Sequence, residues 1–127
     1  MADKQPKSEK SSVTVDTSIS TFDLSKLLAQ VKKGETWEKE NRNAITLCKC
    51  HGLHVTLIAM HAGTLMPGHR VECPISVQVI EGHTEFITDS KAVTLTTGQI
   101  LTLEGGIRHD IKAIAESTIL LTLASGQ

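Results

Sequence analysis

The chain of 127 residues contains no tyrosine, two phenylalanines and one tryptophan, so aromatic residues make up only 2% of it. Too few rings are present to build a platform on which nucleic-acid bases could stack. Charge of one sign is equally scarce, with 13 Lys and Arg against 14 Asp and Glu and a net charge of −1. Such a balance gathers no phosphates by counterion release, which argues against nucleic acid as a partner. Long apolar runs are missing too. The stretch from Leu53 to Met60 is interrupted by His54 and Thr56 and falls well short of the ~20 residues a spanning helix needs, so no membrane association is predicted. The first twenty residues hold no apolar leader segment, which predicts a cytoplasmic protein whose three cysteines are free thiols.

What is present fits one globular domain: 39% of residues are hydrophobic and 21% charged. A chain this long buries roughly two-thirds of its unfolded surface, so it needs neither a disulfide nor a structural metal to hold a core. Residues 1–20 read as a flexible tail, because Met1 to Ser12 is rich in lysine and serine with almost nothing apolar to offset its ordering entropy. Within that tail, the alternation at Val13 and Val15 suggests a short strand added to a sheet edge. Residues 21–43 read as an amphipathic helix and a connector. Leu24, Leu27, Leu28 and Val31 share one helical face, with Asp23 as N-cap, Phe22 as a staple onto Leu27, Lys32 and Lys33 in a cationic last turn, and Gly34 as a left-handed stop.

Residues 44–127 have a different texture. Short segments rich in Ile, Val, Leu and Thr are punctuated by His51-Gly52, Ala62-Gly63, Pro67-Gly68, Gly82, Asp89-Ser90, Gly98, Gly105-Gly106 and Glu116-Ser117. These stops leave room for at least eight strands, and no segment supplies the long helix that a parallel crossover requires. An all-β fold follows, with antiparallel strands closed into a barrel or a two-sheet roll behind one short N-terminal helix. Gly105-Gly106 precedes a strand and reads as a hairpin turn, not as an anion-binding nest.

In this region Gly63, His69, Val71, Ile75 and Gly82 fall on the places of a G-x5-H-x-H-x3-E-x6-G pattern. Gly98, Glu104, Gly106, His109 and Ala113 fall on those of G-x5-P-x-G-x2-H-x3-N, with every interval kept. In register, and over about residues 44–124, the chain resembles the cupin family of jelly-roll β-barrels. The resemblance implies a cupin-type barrel and a homodimer paired through the barrel's outer sheet. It also implies a metal site at His69, Val71, Ile75 and His109. Two of those four places carry branched hydrocarbons with no lone pair, so no metal or other cofactor is expected; an ion, if one binds, would use His69 and His109.

Alternation of side chains along a strand carries Val71, Ile75, Val77 and Val79 inward with His69, giving a largely apolar interior. His69, His109, Val71, Ile75 and Val77 are accordingly the ligand-binding candidates, and a small apolar molecule is the partner they fit. Glu72 or Cys73 could add a third donor only through a bulge before Pro74. Cys48 and Cys50 form a C-x-C without the second thiol pair of a zinc knuckle and read as small buried or half-buried thiols. His51, His54, His61 and His83 have no spacing that pairs them with His69 and read mainly as surface residues, while Gln78 faces away from Val77 and Val79 and is an interface candidate. No nucleophile elbow, phosphate loop or dinucleotide fingerprint is readable. The sequence therefore predicts a small-molecule-binding or interaction module, with a metal-dependent enzyme of dioxygenase or isomerase type, using His69, His109 and Glu72 or Cys73, as the alternative.

Overall fold

Asp23 caps the first helix, α1 (Leu24–Val31), by accepting a hydrogen bond from the Lys26 backbone N–H at 3.2 Å. The protein is described by a computed structural model covering residues 19–125, the side chain of residue 69 excepted. Residues 1–18, including the strand expected at Val13 and Val15, lie outside the described residues. The helix buries Leu27 and Val31 and lies against the first two strands, β1 (Arg42–Cys50) and β2 (Leu53–Met60). Asn43 Nδ2 donates to the Val31 carbonyl at 3.0 Å and fastens the end of the helix to β1.

Two expectations about this region are corrected. The lysines do not form the last turn of α1, which contains no basic residue. Lys32 instead reaches across to Glu81 Oε2 at 2.6 Å and Glu116 Oε2 at 2.8 Å. Burial alone would lower its pKa, but hydrogen bonds to Glu116 and Glu81 and the charges of both outweigh burial and raise it above the ordinary lysine value. Gly34, with φ +83°, stops α1 but also opens a second short helix, α2 (Gly34–Lys39), where one helix and a connector were expected.

The remaining strands are β3 (Leu65–His69), β4 (Ile75–Glu81), β5 (His83–Thr88), β6 (Ala92–Thr96), β7 (Ile100–Leu103), β8 (His109–Ala113) and β9 (Ser117–Leu123). All pairings are antiparallel. One sheet runs β1-β2-β9-β4-β7 and the other β3-β8-β5-β6. Apart from the hairpins β1–β2 and β5–β6, successive connections pass back and forth between the sheets, the two-sheet roll expected from the turn spacing. Strict alternation drives the packing. Val77 and Val79 of β4, Phe86 of β5, Ile111 of β8 and Ile119 of β9 meet in the inter-sheet core, while Ser76 and Gln78 stand on the opposite face of β4. Leu57 and Ala59 face away from that core and are still fully buried; α1 covers their side of the sheet.

Two turn assignments also change. Pro67-Gly68 lies inside β3, where the register to β8 shifts between Met66 and His69, so it is a bulge and not a stop. Proline suits that place, since it has no N–H to give a ladder and β3 is an edge strand among the described residues. Gly105-Gly106 joins β7 to β8 in different sheets and is a crossing loop, not a hairpin turn.

Candidate functional site

One end of the roll is held together by its loops. Gly106 N–H donates to the Val71 carbonyl at 2.7 Å, and the backbone of Gly105 runs so close to Glu72 that a Cβ there would strike the Glu72 carbonyl. The β7–β8 loop and the segment before β4 are thereby clamped across the gap between the sheets, below which lies a cavity of about 160 Å³. Its walls are Met66 and Val71 on one side, Ile75, Leu121 and Leu123 on another, with Ile111 and His109 from β8 and Arg70 at the rim. A void of roughly 150 Å³ with hydrocarbon walls is large enough to hold a benzene ring.

Among the described side chains that line this cavity, His109 is the buried polar one, 5% exposed. Its ring stacks on Phe86, with centroids 5.0 Å apart and planes 15° from parallel, and its Nδ1 lies 3.1 Å from the Ile107 carbonyl. A carbonyl only accepts, so in the neutral ring Nδ1 carries the proton and Nε2 keeps the lone pair. Position 69 pairs in register with His109 across β3 and β8; the His69 side chain lies outside the described residues.

The other sequence candidates separate. Val71 sits half-buried in the β3–β4 connection and packs on the core, and Ile75 is buried at the start of β4; both line the cavity. Val77 is 1% exposed and belongs to the packed core, and the cavity walls do not include it. Glu72 is turned outward, its side chain 78% exposed and 3.1 Å from Arg70 Nε, and Cys73 does not line the cavity. Among the described residues no three His, Cys, Asp or Glu side chains come together as a metal-binding group. Val71 and Ile75 present hydrocarbon to the cavity and offer a metal ion no lone pair.

Sequence reasoning missed Arg70, Met66, Ile111, Leu121 and Leu123 as cavity residues. For the last two a signal existed, because Leu121 and Leu123 share the parity of the fully buried Ile119. His61 also departs from its surface reading: it is half-buried, stacked on Trp37 at 3.6 Å between centroids, with Nε2 2.7 Å from the Trp37 carbonyl. Cys50 is exposed, not buried. A second, more open depression of about 510 Å³ lies where Ser76, Thr102 and Thr122 line up on neighbouring strands of the five-stranded sheet. No helix among the described residues is long and apolar enough to cross a membrane.

No family model and no curated protein matches the chain. Solved structures do. A conserved protein of unknown function from Streptococcus pyogenes superposes with a TM-score of 0.66 at 20% identity, covering 70% of this chain and 78% of that one. A cupin superfamily protein from Desulfitobacterium hafniense gives 0.64 at 12% identity, covering 65% and 76%. A salicylate 1,2-dioxygenase mutant from Pseudoaminobacter salicylatoxidans gives 0.63 at 14% identity, covering 67% of this chain and 26% of that one. At these identities the likeness establishes the fold, which is that of the cupins.

Proposed function

We propose that this cupin-fold barrel is a small-molecule-binding module whose occupant is compact and mostly apolar, of about the bulk of a six-membered ring. The observation that carries the reading is the cavity of about 160 Å³ walled by Met66, Val71, Ile75, Ile111, Leu121 and Leu123 with one buried imidazole, His109. Hydrocarbon walls supply affinity by removing apolar surface from water; among the described side chains the polar groups at the cavity are His109 and, at the rim, Arg70. Arg70 at the rim favours a ligand whose polar group points outward.

The alternative is a metal-dependent enzyme of dioxygenase or isomerase type, using His69 and His109 with Glu72 or Cys73. The pairing of Glu72 with Arg70 and the placement of Cys73 away from the cavity support the binding reading over it. A homodimer in the cytoplasm belongs to the same proposal. Its support is the outer face of the five-stranded sheet, where Ile100, 58% exposed, stands opposite Gln78.

Melting of chelator-treated protein tests the reading. Phenol or benzene at a hundredfold excess over its Kd stabilises the native state by about 2.7 kcal/mol through mass action, and Tm rises. Iron, manganese, nickel and zinc ions, added in turn, leave Tm unchanged. A Tm that rises with a metal ion and ignores every small ring compound reverses the assignment.

A further inference from the structure

β1 carries a chemical feature that the binding reading does not use. Cys48 and Cys50 project from the same side of the strand with their sulfurs 2.8 Å apart. Both sulfurs point at one acceptor, the Leu53 carbonyl, at 3.7 Å and 3.6 Å. Cys50 is exposed and Cys48 half-buried, so one thiol meets solvent and the other waits behind it. We propose that Cys48 and Cys50 form a dithiol site that undergoes thiol–disulfide exchange with small-molecule disulfides, closing an intrastrand disulfide across Lys49.

The chemistry balances without any further reagent. The Cys50 thiolate attacks one sulfur of the small disulfide, whose S–S bond breaks; the departing thiolate keeps the electron pair and takes up a proton. Cys48 then gives its proton to solvent and attacks the Cys50 sulfur, displacing the second small thiol. Two protein thiols are oxidised and one disulfide is reduced to two thiols.

The order of the two steps follows from the surroundings. Burial, and next the hydrogen bond and charge of Cys50, hold the Cys48 thiol above its ordinary pKa, so Cys48 stays protonated while the accessible Cys50 meets the oxidant. Backbone geometry permits closure. Residues i and i+2 of a strand stand about 6.5–7 Å apart, at the long end of the ~4.4–6.8 Å that a disulfide bridges. The register against β2 shifts just before the pair, between Thr46 and Cys48, and such a bulge bends the strand. Among the described residues β1 is a sheet edge, so a local contraction disturbs the ladder to one described strand only. Exposure of the product keeps it reducible.

The probe is oxidised glutathione, applied to the reduced full chain and followed by intact mass and by counting thiols that react with maleimide after denaturation. The three free cysteines fall to one, the mass drops by that of two hydrogen atoms with no lasting adduct, and dithiothreitol restores all of them. In C48S the glutathionyl group stays on Cys50, because the resolving thiol is gone; in C73S the mass loss is unchanged. A stable glutathione adduct on the unsubstituted protein, a covalent dimer through Cys50, or three thiols still reactive after treatment overturns the proposal.

Discussion

Ile111→Ala tests the cavity wall most sharply. Ile111 is 2% exposed, sits among the core side chains, and forms part of the cavity lining. The substitution removes three buried carbons, which at about 0.8 kcal/mol per buried CH₂ accounts for ~2.4 kcal/mol. Elsewhere in a core the neighbours could partly collapse into the gap. Here the vacated space opens onto a cavity that is already present, so little collapse follows and the void term of ~24 cal/mol per Å³ adds to the transfer term. The expected loss is about 4 kcal/mol, in the upper part of the ~2–5 kcal/mol range for such truncations. Reversible urea unfolding with unchanged m reads it directly. In the same variant a bulkier ring compound, such as naphthol, raises Tm more than phenol does. A loss below about 1 kcal/mol, with phenol still preferred, refutes the packed wall and with it the cavity.

Other substitutions check the framework around that site. Gly82 has φ +113°, and a Cβ there would press on Ser117 Oγ and come within 2.6 Å of the Glu116 carbonyl; G82A therefore costs at least about 2 kcal/mol in chemical denaturation. Lys32 has its pKa raised in the folded state, so its pairs with Glu81 and Glu116 contribute fully below the ordinary lysine value of 10.5 and fade as pH rises through the higher folded value. The stability difference between wild type and K32M is thus constant near neutrality and shrinks in strong alkali; a difference that grows there contradicts the ion-pair assignment. Val71→His combined with Ile75→Glu should turn two hydrocarbon walls into donors, giving a metal-dependent rise in Tm that the parent lacks.

The legible parts of the fold are those set by parity and turn chemistry. Val77 and Val79 inward with Gln78 outward could be read from alternation alone, and Asp23 as an N-cap from its side chain and position. Gly82 and Gly98 were readable as turns for the same local reason. The failures arose where one local signal served two purposes. Gly34 both ends α1 and starts α2, and the six residues of α2 bury nothing, so no apolar stripe announced a helix. Pro67-Gly68 carries the chemistry of a turn but is used to bulge an edge strand. The cavity was half legible. His109, Val71 and Ile75 came from motif spacing, and Ile111 shares the inward parity of His109 on the same strand, whereas Arg70 and Met66 flank the shifted register of β3, which no spacing along the chain encodes. The shared face of Cys48 and Cys50 follows from their i, i+2 spacing on a strand, whereas the 2.8 Å approach of their sulfurs has no signal in the sequence.

Diffraction from crystals soaked in a brominated phenol tests the central claim most directly, because bromine marks its own position by anomalous scattering. The predicted result is one bromine peak inside the space bounded by Met66, Ile111, Leu121 and Leu123, with the phenol ring beside His109. An ion held at that place by three or more protein atoms, with no bromine beside it, would contradict the account.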